Sequence, residues 1–488
     1  MKERKKKDKK KKEGKRFFRS IADYFKDFGR AVAKGDAAVK ASLVVMGAGY
    51  IARKQIVKGI IITVVEALYI ILMAFFAAPY LAKFGTLGDT QFAQEFDPLT
   101  MQTTVNDYDN SFSILLYSII AIFVTVCFVL YWVHNMKVVY KLQLMKENGE
   151  HINTFKEDVK DMFGKKFHIT LLSLPTLGVI LMNILPILVM IAIAFTNYDQ
   201  NHMPPSSLFT WVGLKNFKNL FANSMTITFG YAFGKVLSWT LIWAVLATIT
   251  TFMGGIFLAK LLNKKCVKLP KMWRTLFIIA IAVPQFVTLL LVRNFFADTG
   301  IVNTICSNIG LTDFLKSIGL VSSGLNYIPF LTSSGWAKVM IVLINIWVGV
   351  PYQMLIATGV LMNIPEDQLE SAKIDGASNR QTFWKITMPY VLHIQGPALL
   401  TDFIKNINNF NVIYLLTQDV FITQDQKLAN SNAKEVDLLV TWLFRLTNEY
   451  YNYKMASVIG IIVFVICAAL SIVAFRQMIA GDKEEVYQ

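Results

Sequence analysis

Eight long apolar segments constrain this chain more than any other feature of its sequence. Most of them hold about 20 predominantly apolar residues, enough for a helix to cross the roughly 30 Å hydrocarbon core of a bilayer. A backbone in lipid must satisfy its own hydrogen bonds, so each segment is either a helix or a strand of a closed barrel. The segments are about 59–80, 113–134, 169–195, 232–259, 274–296, 338–360, 391–416 and 455–476.

The residue pattern within these segments distinguishes helices from barrel strands. Barrel strands alternate apolar and polar residues over about ten positions. The first segment contains IIITVVEALYIILMAFFAA, which shows no such alternation. The chain is also 54% hydrophobic, above the roughly 45–50% of an average soluble domain. We therefore predict an all-α polytopic membrane protein with eight transmembrane helices.

The distribution of lysine and arginine predicts how the helices are oriented. Most of the 49 Lys and Arg residues fall in alternate inter-helix segments, and cytoplasmic loops carry an excess of these residues. Both termini are therefore expected in the cytoplasm. The predicted cytoplasmic segments are 1–58, 135–168, 260–274, 361–390 and 475–488, and the predicted outer loops are 81–112, 196–231, 297–337 and 417–454.

The N-terminal segment contributes much of the net charge of +16. Its basic run, MKERKKKDKKKKEGKR, is typical either of nucleic-acid binding or of a disordered tail drawn to anionic lipid head groups. We favour the lipid interpretation and expect no nucleic-acid partner. The following RFFRSIADYFKDFGRAV places apolar residues on one helical face, which predicts an interfacial helix on the inner leaflet. Those residues are Phe17, Phe18, Ile21, Tyr24, Phe25 and Phe28.

Residue types that carry enzymatic chemistry form no recognisable cluster in the sequence. The four cysteines are far apart and fall in different parts of the predicted topology, so they indicate neither a disulfide framework nor a metal site. The five histidines form no metal-binding pair. Gly-Lys pairs occur, but no Ser or Thr follows any of them, so the chain has no nucleotide-binding P-loop. We expect no catalytic residue, metal or cofactor in this chain.

A charged segment between the sixth and seventh predicted helices is more organised than a simple connector requires. NIPEDQLESAKIDGASNRQTFWKITMPY predicts two short helices, because Pro365 suits a first helical position and Gly376 suits a helix end. Ser378, followed three residues later by Gln381, resembles a capping box that begins the second helix. Carboxylates beside large aromatic side chains are typical of a protein interface, although an inter-helix connector is the plainer interpretation.

The seventh predicted helix is too polar to face lipid. Gln395, Asp402, Asn406 and Asn409 recur at spacings that place them on one helical stripe. Polar groups inside a bilayer are costly and usually face a cavity or a partner. Because a polar face of this kind is suited to line a cavity, we interpret the stripe as part of a translocation pathway.

Other interpretations of this polar helix stay open. Hydrogen bonds between helices explain some polar residues in membrane bundles, and Asn408 and Asn411 are the first candidates. Asp402 and Lys405 could also pair with each other. A secondary transporter would need a coupling carboxylate near the membrane midplane, for which Asp402 is the main candidate and Glu66 is another. An integral-membrane enzyme has no supporting constellation of residues.

The charged segment carries a family resemblance. Glu370-Ser371-Ala372, then Gly376, then Ile386 and Met388-Pro389 resemble the EAA motif of ABC-importer permeases, whose usual form is EAA-x3-G-x9-I-x-LP. The resemblance extends over roughly residues 165–478. FTNYD at 195–199 and FTWVGLKNF at 209–217 resemble the first outer loop of carbohydrate ABC permeases. NIWVGVPYQM at 345–354 and DFIKNINNFNVIYLLT at 402–417 resemble helices of the larger, eight-span permease subunit of maltose/maltodextrin importers.

The resemblance implies a fold, a function and a set of partners. The third to eighth helices would form the core of a type I ABC-importer permease, with two extra N-terminal helices. The chain would translocate maltodextrin-like or other oligosaccharides. Its partners would be a second permease subunit, two ATPase subunits that bind ATP and magnesium, and an extracellular solute-binding protein. The implied divisions are a tail at 1–58, two helices at 59–134, a connector at 135–168, a core at 169–478 with its coupling loop at 364–390, and a C-terminal tail at 479–488.

The resemblance also implies two sets of functional residues. The substrate contacts would be Gln285, Val348, Gly349, Tyr352, Asp402, Lys405, Asn406 and Asn409. The residues that couple to the ATPase would be Glu370, Ala372, Asp375, Gly376, Phe383, Ile386 and Pro389. On physical grounds alone, Gly349 is equally well explained by helix packing. The chain departs from the family in a short outer loop at 196–231 and in Thr417-Gln418-Asp419, which replaces a Gly-Gly-Pro turn.

Overall fold

The computed structural model of the chain describes residues 26–97, 101–222, 228–264 and 266–485. These residues are mostly helical, which confirms the predicted all-α membrane fold. Six of their helices are long and apolar enough to cross a membrane: Ile56–Ala82, Ser111–Glu147, Phe167–Ile193, Phe229–Leu262, Ser334–Met362 and Tyr453–Val473. The described residues divide into two compact units, one within Met1–Ala192 and Asn201–Trp211, the other within Ile193–Gln200 and Val212–Gln488.

The fifth and seventh predicted spans are each two helices rather than one. In the fifth, Pro284 has no N–H to donate and disfavours a helical backbone at Val283, which is extended. In the seventh, the helix ends at Ile407 and resumes at Asn411. Non-helical backbone at membrane depth is tolerated where it is buried in protein or lines a cavity. Six of the eight predicted spans are therefore single long helices in the described residues, and the other two are interrupted.

The first unit contains three of the long helices and several short elements. Its elements are α1 (Ala37–Ala41), α2 (Ala48–Ile51), α3 (Ile56–Ala82), β1 (Gln94–Asp97), β2 (Gln102–Val105), α4 (Ser111–Glu147), α5 (Phe155–Phe163) and α6 (Phe167–Ile193). The antiparallel pair β1–β2, in which Gln94 lies opposite Val105, is an addition to the all-α prediction and falls in the first predicted outer loop.

The chain before α3 packs into the first unit through its backbone. The Met46 amide donates to the buried Glu66 carboxylate of α3 at 2.7 Å, and Asn135 of α4 donates to the Met46 carbonyl at 3.0 Å. The predicted interfacial helix lies mostly outside the described residues, although Phe28 contacts the ring of Trp132. Glu66 is thus engaged in holding a backbone segment between two helices.

The second unit contains the other long helices and the polar segments of interest. Its elements are α7 (Lys215–Phe221), α8 (Phe229–Leu262), α9 (Pro270–Ala282), α10 (Gln285–Phe295), α11 (Ile301–Asn308), α12 (Leu311–Ser317), α13 (Ser334–Met362), α14 (Glu366–Ile374), α15 (residues 379–407), α16 (Asn411–Thr417), α17 (Gln426–Asn430), α18 (Leu439–Asn448) and α19 (Tyr453–Glu485). Within α15, Phe383–Thr387 form a π-helical turn.

Two helices, α8 and α13, form the centre of the second unit. Glycine allows their close approach: a Cβ built at Gly255 would lie 2.5 Å from the Cβ of Gln353. Small residues at helix interfaces are typical of membrane bundles, where close packing replaces the hydrophobic effect. Two buried clusters, one around Trp243 and one around Met354, each contain residues of both helices. The polar cavity described below lies between helices of this packed unit.

Candidate functional site

A cavity of about 880 Å³ opens in the second unit, between α8, α9, α10, α13 and α15. Its size falls within the range of small-molecule binding pockets, roughly 300–1,000 Å³. All eight residues that the resemblance implied as substrate contacts line it, although they come from three separate stretches of sequence. They are Gln285, Val348, Gly349, Tyr352, Asp402, Lys405, Asn406 and Asn409.

Both helix interruptions border this cavity. Val283 and Pro284 line it at the break between α9 and α10, and Asn408 and Asn409 line it at the break after α15. The interrupted backbone therefore lies where polar groups have a cavity to face, which agrees with the physical requirement for non-helical backbone in a membrane. Most of the polar residues of the seventh predicted span also line this cavity, where their side chains are not exposed to lipid. They are Asp402, Lys405, Asn406, Asn408, Asn409 and Asn411.

Asp402 is held in place by a neighbouring amide. Gln353 Nε2 of α13 donates to Asp402 Oδ2 at 2.7 Å. Across the described ranges no ion pair joins Asp402 to Lys405, whose exposed side chain also lines the cavity. The proposed pairing of these two residues is therefore not seen. The cavity instead presents a carboxylate and an ammonium group separately.

The two stripe asparagines make protein contacts as well as lining the cavity. Asn406 Nδ2 donates to Thr248 Oγ1 of α8 at 3.0 Å. Asn409 Nδ2 lies 3.4 Å from Asn406 Oδ1. Asn408, for which inter-helix bonding was the expectation, donates to the Ile404 carbonyl and to Cys467 Sγ at 3.2 and 3.3 Å. Hydrogen bonding between helices and exposure to the cavity therefore coexist on this face.

Aromatic and small residues shape the opposite wall. Tyr352 is 52% exposed and could present its ring to the apolar face of a pyranose. A Cβ at Gly349 would lie 2.8 Å from Thr251 Cγ2, so the helix-packing explanation of this glycine is also supported. The sequence prediction did not assign Trp347 or Asn345, which line the same wall. Both residues fall within NIWVGVPYQM, so the resemblance of that stretch was the signal from which they could have been predicted.

The charged segment folds as the two short helices that its sequence predicts. Helix α14 ends before Gly376, which has φ +74°. The capping box is reciprocal: Gln381 Oε1 accepts from the Ser378 amide at 2.8 Å, and Ser378 Oγ accepts from the Gln381 amide at 3.3 Å. A left-handed glycine followed by a capped helix fixes the angle between the two helices.

The seven predicted coupling residues differ in exposure. Glu370, Asp375, Gly376 and Pro389 are exposed, Phe383 and Ile386 are half-buried, and Ala372 is buried. Sequence reasoning missed Lys260 at the end of α8, whose Nζ lies 4.2 Å from the centroid of the Phe383 ring. It also missed Ile374, which is 85% exposed. The exposed residues form a surface that another protein can contact. The buried and half-buried residues, Ala372, Phe383 and Ile386, pack the two-helix segment against the rest of the second unit.

These features define a class of protein: a multi-pass membrane subunit with a polar cavity in its core and an exposed two-helix segment between two spans. A family model described as "Binding-protein-dependent transport system inner membrane component" matches residues 251–480. The match contains every cavity residue named above, together with the whole two-helix segment. The chain belongs to this family, the permease subunits of ABC importers.

Several curated relatives are similar to nearly the whole chain. It is 32% identical over 446 residues to the maltodextrin transport system permease protein MalC of Streptococcus pneumoniae, and 31% identical over 446 residues to the maltodextrin transport system permease protein MdxF of Bacillus subtilis. Each alignment covers 91% of this chain and 96% of the relative. The galactooligosaccharides transport system permease protein GanP of Bacillus subtilis is 33% identical over 438 residues, covering 89% and 96%. The similarity thus extends well beyond residues 165–478.

Proposed function

We propose that this chain is the membrane-spanning subunit through which an ABC importer moves maltodextrin-like oligosaccharides into the cell. The observation that carries the proposal is the cavity, which collects eight residues from three distant stretches around one polar space. Its amides, carboxylate and ammonium group can satisfy sugar hydroxyls. Its aromatic side chains can cover the apolar faces of the rings. Relatives named for maltodextrin transport support the same substrate class.

The two-helix segment is proposed as the docking site for a separate ATPase subunit. It has exposed carboxylates and a large exposed apolar side chain, Ile374. Its second helix, α15, runs directly into the cavity wall, so a movement of the segment would reach Asp402 through one element. ATP and magnesium would be bound by two ATPase partners, because this chain has no P-loop, and this chain would act as a transport subunit without enzymatic activity of its own.

The topology proposed for the complex follows from the charge distribution. Both termini and the two-helix segment would face the cytoplasm, where the ATPase subunits bind and where lysine and arginine are enriched. A second permease subunit would complete the pathway, and an extracellular binding protein would deliver the sugar. Alternating access of the cavity to the two sides of the membrane would then move one oligosaccharide per cycle.

A different oligosaccharide is the second candidate for the substrate. The relative named for galactooligosaccharides is as similar to this chain as those named for maltodextrin. Both kinds of sugar present the same hydroxyl groups and differ in linkage and stereochemistry. The position of a few donors and acceptors in the cavity would decide between them.

Uptake by the reconstituted importer tests the proposal. The complex is placed in vesicles with its binding protein and offered maltose, maltotriose, longer dextrins and galacto-oligosaccharides. We expect ATP-dependent uptake of maltotriose or longer dextrins that continues when a protonophore collapses the ion gradient. Uptake of galacto-oligosaccharides alone would favour the second candidate. Loss of uptake on addition of the protonophore, with ATP still present, would reject the importer and favour an ion-coupled transporter.

A further inference from the structure

Helix α5 turns two carboxylates toward the protein and its large apolar side chains away from it. Asp158 accepts from Lys58 Nζ at 2.8 Å, Asp161 accepts from Asn153 Nδ2 at 3.2 Å, and both carboxylates are half-buried. An amphipathic helix on a water-soluble protein does the opposite and buries its apolar stripe. The apolar side chains of α5 therefore need a covering from outside the chain. The exposed ones are Phe155, Met162 and Phe163.

The turn between α1 and α2 is held by side chains of two membrane-spanning helices. The Met46 amide and carbonyl bond to Glu66 of α3 and Asn135 of α4, as described above. Trp132 of α4 also donates from its Nε1 to the Leu43 carbonyl at 3.3 Å. Non-helical backbone at membrane depth requires partners of this kind. Residues 36–55 therefore have the bonding of a segment that enters the membrane and returns.

The depth of this turn follows from its partner on α3. Glu66 lies ten residues after Ile56, the first residue of α3. At a rise of about 1.5 Å per residue the distance is about 15 Å along the helix axis, or half of a roughly 30 Å hydrocarbon core. Two valines of the turn are exposed, Val44 to 80% and Val45 to a lesser extent. Under the proposed topology, these side chains lie at the level of the acyl chains of the cytoplasmic leaflet.

Contacts at the start of α3 join the turn segment to α5. Gln55 Nε2 donates to the Asn153 carbonyl, just before α5, at 2.6 Å. Lys58, the partner of Asp158, also lies over the ring of Tyr50 in α2, with its Nζ 5.2 Å from the ring centroid. The exposed apolar groups of residues 36–55 and of α5 therefore belong to the same end of the first unit.

Exposed lysines surround these apolar groups. Two of the three carboxylates of α5 are turned toward the protein, so its exposed surface is mainly cationic. Lysine near a membrane surface is attracted to anionic lipid head groups, and its long apolar stem can lie along acyl chains while the ammonium group reaches the phosphates. The exposed lysines are Lys40, Lys54, Lys156, Lys160, Lys165 and Lys166.

We propose that residues 36–55 and α5 form an inner-leaflet surface that is embedded among anionic phospholipids of the cytoplasmic leaflet. Its exposed valines, phenylalanines and methionine contact acyl chains, and its lysines contact the phosphate groups. A covering by an ATPase subunit or by a second permease subunit is the alternative that the experiment excludes. The inference goes beyond the transport function and does not depend on which sugar is carried.

Quenching by lipids tests the insertion. Val44→Cys and Phe163→Cys are each placed in a chain whose four native cysteines are replaced by alanine, and are labelled with a nitrobenzoxadiazole fluorophore. The whole complex is reconstituted into vesicles with phospholipids that carry a doxyl group on the acyl chain. We expect quenching at both positions to be at least about threefold stronger than at Glu150→Cys, an exposed position in the polar turn before α5.

The outcome separates lipid from protein as the covering. Quenching at either position no stronger than at Glu150→Cys would contradict the inference. A blue-shifted emission without quenching would also contradict it, because it would show that a protein subunit covers the label. Val45→Cys and Phe155→Cys replace any labelled variant that fails to co-purify with its partners. The measurement needs neither sugar nor ATP, so a failure of transport leaves it interpretable.

The charge of the lipid is tested with the same label at Phe163→Cys. The doxyl group is placed on phosphatidylglycerol or on phosphatidylcholine at equal mole fractions. We expect about twofold stronger quenching by the anionic lipid, and we expect Lys156→Gln with Lys160→Gln to remove at least half of this excess. Lys215→Gln with Lys218→Gln, two exposed lysines of α7, should leave it unchanged. Equal quenching by the two lipids, or an excess that the first pair does not reduce, would contradict the anionic preference.

Discussion

At the scale of single residues, the cavity residues also take part in packing between helices. Asn406 lines the cavity and also donates to Thr248, and Gly349 lines it while allowing the approach of Thr251. The sequence predicted which residues belong to this face, because helical spacing places them together. It could not predict Gln353 as the partner of Asp402, because that contact depends on how two helices distant in sequence are aligned. For the same reason, the spacing grouped Gln395 with the cavity residues, although it is buried outside the cavity.

Asn406→Ala tests the substrate role of the polar stripe. The variant removes one hydrogen bond that the cavity offers to a sugar, and such a bond is worth about 1 kcal/mol, or roughly fivefold in affinity. We expect maltotriose uptake to fall by about this factor while the complex still co-purifies intact. Asn448→Ala, an exposed asparagine bonded within its own helix, should transport normally. Loss of assembly in Asn406→Ala would mean that its bond to Thr248 is the more important one.

Gly376→Val tests the turn between α14 and α15. The glycine has φ +74° and open space around its Cα, so the cost of a side chain comes from the backbone alone. A left-handed residue with a Cβ costs about 1–2 kcal/mol, and a β-branched one more. We expect this variant to lose ATP-dependent uptake, with its ATPase subunits either dissociated or hydrolysing ATP without transport.

The matched control for this turn is Gly359→Val. Gly359 also has open space around it but has no positive φ and lies inside α13. Transport by that variant should be close to normal. Normal transport by Gly376→Val as well would show that the turn is unimportant for coupling.

At the scale of elements, the sequence predicted helices well and their interruptions poorly. Six of the eight apolar segments are single long helices, and the capped two-helix segment is found as well. The breaks at Pro284 and after Ile407 were missed because both lie within windows that remain apolar on average. Pro284 was the available signal for the first break. For the second, the run of asparagines indicated polarity, but polarity alone does not distinguish a polar helix from an interrupted one.

The glycine contact between α8 and α13 gives a prediction at this scale. Gly255→Ala would place a Cβ 2.5 Å from Gln353 Cβ, which forces the two central helices apart. Overpacking of this kind costs about 1–3 kcal/mol. We expect a lower thermal unfolding midpoint for the purified complex and reduced uptake. Gly234→Ala, in the same helix with open space around it, should have neither effect. Equal stability of the two variants would contradict the proposed contact.

At the scale of the whole molecule, the proposed sugar site and the proposed ATPase docking site lie in different parts of the second unit. The cavity and the two-helix segment are joined by one helix, α15, which carries a π-helical turn, a glycine–proline pair and the buried Gln395. The family of the chain and its polar cavity both support the assignment as a permease subunit. The choice of sugar was not predictable from sequence, because relatives named for different oligosaccharides are equally similar to this chain.

Uptake of maltotriose by the reconstituted complex, with and without ATP and with and without a protonophore, tests the central claim most directly. The expected result is uptake that requires ATP and the binding protein, persists after the ion gradient has collapsed, and falls in Asn406→Ala. Uptake that proceeds without ATP, or that stops when only the gradient is removed, would contradict the claim that this chain is the translocation subunit of an ABC importer.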